Sequence, residues 1–176
     1  AIADYPRINA SVGDDELIVH GDVNLAVAVD LDFQGLVAPV LRRVDSLSLT
    51  DIARGIVDMA GRARSRRLVP DDLAGGTFTV TNPGQYGTMF QFPIINQPQV
   101  AILSTDGVAR KPVVLVDDDG NETVGIGSVG VLALGWDHRA FDGAYAASFL
   151  RQVRDVLETT DWAGDLAGDL DPEAEG

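Results

Sequence analysis

Only two stretches of this chain repeat apolar residues at helical spacing, residues 48–67 and 143–159. Gly, Pro, Asn and Asp cut the rest into short β-runs. In the first helical stretch Leu49, Ile52, Ala53, Ile56, Ala60 and Ala63 form one stripe. Ser48 with Asp51 resembles a capping box at its start, and Pro70 forbids continuation beyond its end. The second stretch turns Ala147, Leu150, Val153, Val156 and Leu157 inward. Strands are expected over residues 16–32, 36–41, 77–82, 100–104, 113–116, 122–126 and 129–136. Pro39 argues that the second of these is an edge or carries a bulge, and the apolar density of the last argues for burial. Two helices among so many strands do not make regular βαβ winding. The expected class is therefore α+β, a mixed α/β sandwich forming one domain.

Composition removes several functions. The formal charge is −14, so a phosphate backbone or an anionic membrane surface is repelled, and neither nucleic acid nor membrane is an expected partner. There are no cysteines and only two histidines, His20 and His138, which leaves no basis for a thiolate or histidine-rich metal site. The longest apolar runs, residues 23–29 and 129–136, are far too short to span a bilayer. No secretory signal opens the chain, and a cytoplasmic location, or the mitochondrial matrix in a eukaryote, is the expectation.

Three motifs have bland explanations. Gly125–Gly130 fits G-x-G-x-x-G, but a strand follows it where a helix N-terminus is needed to meet a pyrophosphate. Residues 117–121 look like a calcium loop, yet Leu115 and Ile126 stand where oxygen ligands belong, so a solvated hairpin tip is expected. The arginines of residues 62–67 suit the negative end of a helix dipole, while their geometry also suits a phosphorylated ligand such as coenzyme A. His138 is different. It lies in the run Asp137, His138, Arg139, Ala140, Phe141, Asp142, Gly143, between an apolar strand and the last helix, a corner where an imidazole can be held rigidly at a cavity's rim.

H-x-x-x-D-G at this corner resembles the motif of the chloramphenicol acetyltransferase and 2-oxo acid dehydrogenase acyltransferase superfamily. Residues 5–10 (YPRINA), 23–29 (VNLAVAV), 35–40 (GLVAPV), 68–82 (LVPDDLAGGTFTVTN) and 93–103 (PIINQPQVAIL) are similar, in the same order, to segments of its second branch. The resemblance implies a mixed sheet with helices packed on it. It also implies the E2 catalytic domain of a 2-oxo acid dehydrogenase complex, which moves an acyl group between dihydrolipoamide and coenzyme A. Within the superfamily the alternative is a chloramphenicol-type O-acetyltransferase, and outside catalysis a scaffold of the complex core.

By the same resemblance, His138 is the general base, Thr81 the oxyanion donor, and Asp142 the residue that holds the loop and a neighbouring arginine. Arg139, Asn82 and Asp137 support these groups, and Phe90 and Phe92 lie at the acyl pocket or channel. Thr81 and His138 are expected to meet across the subunits of a homotrimer. The lipoyl group belongs to a domain outside this chain, coenzyme A is a substrate, no metal is needed, and E1 and E3 bind through other segments. The family's catalytic domain begins with an extra helix, strand and helix that do not precede Tyr5 here. Residues 1–161 are thus expected to be an N-terminally incomplete catalytic domain, and residues 162–176 an acidic, frayed tail. Where the family has an apolar C-terminal knob that joins trimers into larger cores, this sequence is acidic, so assembly beyond the trimer is not expected.

Overall fold

A computed structural model of the chain describes residues 1–164 and 166. After a 3-10 turn at Pro6–Ile8, β1 (Ala10–Val12) and β2 (Leu17–Val19) form a small antiparallel ribbon. They are followed by β3 (Leu25–Val27), β4 (Val29–Asp30), β5 (Leu36–Val37), β6 (Val40–Leu41) and α1 (Leu49–Arg64). Next come β7 (Phe78–Thr81), β8 (Ala101–Thr105), β9 (Ala109–Val116), β10 (Glu122–Val129), β11 (Leu132–Trp136) and α2 (Gly143–Thr159).

The central sheet has the order β11-β8-β7-β3-β6. β7 runs parallel to both β3 and β8, while β6 and β11 close the two edges antiparallel to their neighbours. The sheet is therefore mixed.

Alternation along β7 sorts its side chains between the two faces of the sheet. Phe78 and Val80 point to the core side, where Phe78 meets Phe149 of α2 edge-on at 6.2 Å. Ile8, Val100, Leu103, Leu134, Phe141 and Ala146 complete that core. Thr79 and Thr81 point the other way, toward α1. Ser48 caps α1 by accepting from the amide of Asp51, as the capping box predicts. Its last turn is closed by Ser65, whose hydroxyl donates to the carbonyl of Gly61 at 2.7 Å.

The structure redraws several expected elements. Residues 16–32 read as one strand but form β2, β3 and β4, each with a different partner. Residues 36–41 split at Pro39 into β5 and β6, and β6 is an edge strand, as the proline suggested. Val129 ends β10 and does not begin β11, and only Leu134 of β11 is buried, because an edge strand has one covered neighbour. The apolar stripe of α2 is set by Ala146 and Phe149, with Leu150 and Val153 beside them; Ala147, Val156 and Leu157 are exposed. In the predicted tail, residues 162–164 and 166 are helical, and the rest of the expected frayed segment lies outside the described residues.

Candidate active site

His138 stands on the turn between β11 and α2, and both of its flanks are anchored. On the strand side the amide of Asp137 continues the sheet by donating to the carbonyl of Val100 at 2.8 Å. The turn closes through the amide of Ala140 to the carbonyl of Asp137 at 3.0 Å, after which Ala140 and Phe141 are buried in the core. The indole N–H of Trp136 donates to the carbonyl of Phe141 at 3.2 Å, and the Trp136 ring lies 6.0 Å from the imidazole of His138. On the helix side Asp142 caps α2, accepting from the amide of Tyr145 at 2.9 Å. His138 itself is exposed at the apex.

Arg139, the arginine nearest to Asp142 in sequence, does not pair with it. Arg139 folds back on Asp137, with guanidinium contacts of 2.6 to 3.1 Å and an amide contact of 2.9 Å. The Arg139 side chain, aided by its amide, holds the Asp137 carboxyl below the usual carboxylate range. Two residues of separation let the guanidinium reach that carboxylate within the turn, and α2 takes an oxygen of Asp142 for its free amides.

Thr81 ends β7 on the α1 side of the sheet. Two threonines before it in the chain have hydroxyls committed to the structure. Thr77 accepts from the amide of Asn24 at 2.9 Å, and Thr79 donates to Oε1 of Gln99 at 2.6 Å. Among the described residues the Thr81 hydroxyl has no hydrogen-bond partner. It is half-buried and opens into a cavity of about 770 Å³ between α1 and the sheet. Asn82 and Phe92 line this cavity; Phe90 does not, and packs edge-on against Phe92 at 5.6 Å. Asn82 is held by its turn, its Oδ1 accepting from the amide of Gly84 at 2.9 Å.

Sheet register separates the two candidate catalytic groups. Thr81 is level with Ser104, and through Ser104 with Ala133, whereas Trp136 is level with Ala101 at the other end of β8. Three residues along the strand and two strands across give about 14 Å between Thr81 and Trp136 alone. The chain then runs two residues further from Thr81 before reaching His138. One copy of the chain cannot bring the imidazole and the hydroxyl onto the same reacting atoms.

The arginines of residues 62–67, undivided in the sequence, have separate surroundings. Arg62 is paired with Asp72 at 2.7 Å and with Asp58 at 2.8 Å, Arg66 donates to Gln34 at 2.8 Å, and Arg67 donates to Ser65 at 2.8 Å. Arg64 alone of them lines the cavity that Thr81 opens into. Periodicity carried this signal, since Arg64 continues the stripe of Ile56 and Ala60 at steps of four residues.

The model of the family described as 2-oxoacid dehydrogenases acyltransferase (catalytic domain) matches residues 1–163. The chain belongs to that family. Over 168 residues it is 45% identical to the dihydrolipoyllysine-residue acetyltransferase component of the pyruvate dehydrogenase complex of Mycobacterium tuberculosis, covering 94% of this chain and 30% of that protein. It is 39% identical over 158 residues to the succinyltransferase component of the 2-oxoglutarate dehydrogenase complex of Pseudomonas aeruginosa, covering 90% of this chain and 37% of that protein. The chain thus spans about a third of the length of these curated relatives.

Among solved structures of the family's fold, dihydrolipoamide acetyltransferase of Azotobacter vinelandii superposes with a TM-score of 0.80 at 34% identity, over 94% of this chain and 65% of that one. That enzyme was studied for the catalytic role of a serine, a histidine and an asparagine four residues after the histidine. A probable dihydrolipoamide acetyltransferase of Listeria monocytogenes superposes equally well, at 0.80 and 34% identity over 89% of this chain and 64% of that one.

Proposed function

We propose that this acyltransferase-family chain carries the chemistry that moves an acyl group between a dihydrolipoyl thiol and coenzyme A in a 2-oxo acid dehydrogenase complex. His138 of one copy works with Thr81 of another in a homotrimer. The observation that carries this reading is the separation of Thr81 from His138 across the sheet, each left with a free functional group at an open surface. A thiol is only a few per cent thiolate at neutral pH, so it needs a base. The imidazole of His138 takes the thiol proton as the sulfur attacks the thioester carbonyl. Charge then collects on the carbonyl oxygen of the tetrahedral intermediate, where the Thr81 hydroxyl donates to it. Collapse breaks the original C–S bond, and the departing sulfur recovers the proton from His138.

The other residues hold this arrangement. Asp142 follows His138 at the same four-residue spacing as the asparagine of the Azotobacter enzyme, and as the cap of α2 it fixes the far side of the turn. The Asp137–Arg139 pair fixes the near side. Phe92 contributes an apolar wall beside Thr81, while E1, E3 and the lipoyl-bearing domain engage segments outside this chain.

Transfer from acetyl-coenzyme A to dihydrolipoamide by the full-length protein tests the reading. His138→Ala is expected to lower kcat by about 10²–10⁴. A refolded equal mixture of His138→Ala and Thr81→Ala chains is expected to recover about a quarter of wild-type activity, because one interface in four then carries both groups. A mixture no more active than either variant alone would exclude a site shared between copies.

A further inference from the structure

We propose that Arg64 binds an anionic oxygen group, carboxylate or phosphate, carried by the thioester substrate in the cavity beside Thr81. This rests on the acyltransferase reading for the identity of the substrate, but not for the presence of the anion site. Of the 13 basic residues in a chain with 27 acids, Arg64 alone lines this cavity. Five other arginines, Arg42, Arg54, Arg62, Arg139 and Arg154, lie within 3.5 Å of a carboxylate. Among the described residues the Arg64 side chain has neither an ion pair nor a hydrogen bond.

The helix end does not need Arg64 as a cap. The carbonyl of Gly61 accepts from the hydroxyl and amide of Ser65, that of Arg62 from the amide of Arg67, and that of Ala63 from the amide of Arg66. The acid that lines the same cavity, Asp30, is committed to the hydroxyl of Tyr86 at 2.9 Å and the amide of Phe33 at 3.3 Å. Among the described residues the Arg64 guanidinium thus forms no ion pair with the one acid beside it.

Its position explains what it would read. Ile56, Ala60 and Arg64 follow one another on one face of α1, so the wall is apolar for about 6 Å and meets the arginine about 6 Å further along. Thr81 lies on the opposite wall. A ligand that fits has an apolar stem and an anionic end, with its thioester within reach of the hydroxyl. Two parts of an acyl-coenzyme A meet that description: the far carboxylate of a dicarboxylic acyl group, and the phosphates beyond the pantetheine arm. Arg pairs with either through two parallel N–H donors.

Transfer to dihydrolipoamide by full-length wild type and Arg64→Gln, with acetyl-coenzyme A, succinyl-coenzyme A and S-acetylpantetheine as donors, tests the proposal. Loss of the guanidinium is expected to raise KM by about tenfold or more for donors that carry the recognised group. If the carboxylate is read, the kcat/KM ratio of succinyl- to acetyl-coenzyme A collapses; if a phosphate is read, the ratio of acetyl-coenzyme A to S-acetylpantetheine collapses. Arg64→Lys is expected to restore part of the lost discrimination, as a point charge without the fork.

Equal effects on all three donors, or none, would overturn the proposal. So would a fall in sedimentation coefficient, which would mean that Arg64 meets another copy. If wild type transfers no acyl group, the acyltransferase reading fails. Calorimetric titration with coenzyme A and with succinate then decides the anion site: weaker binding of either by Arg64→Gln supports it, and unchanged binding of both overturns it.

Discussion

Thr79 and Thr81 share one face of β7, and Thr79, with Thr77 just before the strand, shows what a threonine does when it is structural. Thr81 has the same backbone setting without a partner, so its hydroxyl contributes little to the fold. Thr81→Val keeps the β-branched shape and removes the donor. It is expected to cost about 10²–10³ in kcat while leaving the melting temperature nearly unchanged, and Thr81→Ser is expected to stay close to wild type. Steady-state kinetics beside thermal unfolding checks both. The nature of this residue was legible from the motif around it, whereas the state of each arginine in residues 62–67 was not. Arg62 is paired because the 3-10 turn at Pro70–Leu73 returns Asp72 to it, a contact that one-dimensional spacing does not encode. That pair also predicts a pH effect. The hydrogen bond from Arg62, followed by that from the amide of Val69, lowers the pKa of Asp72 below its ordinary value. A lowered folded-state pKa gives stability that is present above the unfolded carboxylate value, near about 3.9, and is lost as pH falls through the folded value. Between about pH 5 and pH 2, Asp72→Asn should therefore lose less in melting temperature than wild type.

The elements that periodicity identified are those whose burial is local. Both helices appear within a few residues of their expected ends, and the hairpin tip at residues 117–121 is closed by the Asp117 carboxylate accepting from the amides of Asp119 and Asn121. Apolar alternation over residues 16–32 marked the segment as strand, but pairing partners come from distant strands, so the breaks between β2, β3 and β4 left no local mark. The distance between Thr81 and His138 was hidden for the same reason, since it follows from the registers of β7 on β8 and β8 on β11. One inter-element contact has a sharp consequence. Gly84, just after β7, packs so closely on Gly107 that a Cβ would lie 2.5 Å from its amide nitrogen and 2.6 Å from its Cα. Backbone on both sides leaves no flexible atom to yield, so Gly84→Ala must shift the loop that follows Thr81. It is expected to reduce activity more than tenfold and to lower the melting temperature, whereas Gly61→Ala, on an open helix face, should raise stability by about 0.5–1 kcal/mol.

At the scale of the whole molecule, repulsion and apolar surface oppose each other. A formal charge of −14 on each copy drives copies apart, and the chain nevertheless exposes large apolar groups on several elements. On one face of the β9–β10 hairpin Val114 pairs with Val124 beside Ile126, all exposed, and Phe92 and Ile94 at the cavity mouth are 86% and 88% accessible. Such surface exceeds what isolated residues on a monomer explain, and its burial between copies would supply the attraction a shared site requires. Like-charge repulsion between exposed groups is screened over about 8–10 Å at 0.1–0.15 M salt, while apolar burial is not weakened by it. The association should therefore tighten as sodium chloride rises from about 0.02 to 0.5 M, with the proposed trimer dissociating first on dilution into low salt. Val124→Asp places a charge inside the apolar patch and should shift sedimentation toward the monomer at every salt concentration; a trimer indifferent to both salt and this substitution would show that other surfaces hold the copies together.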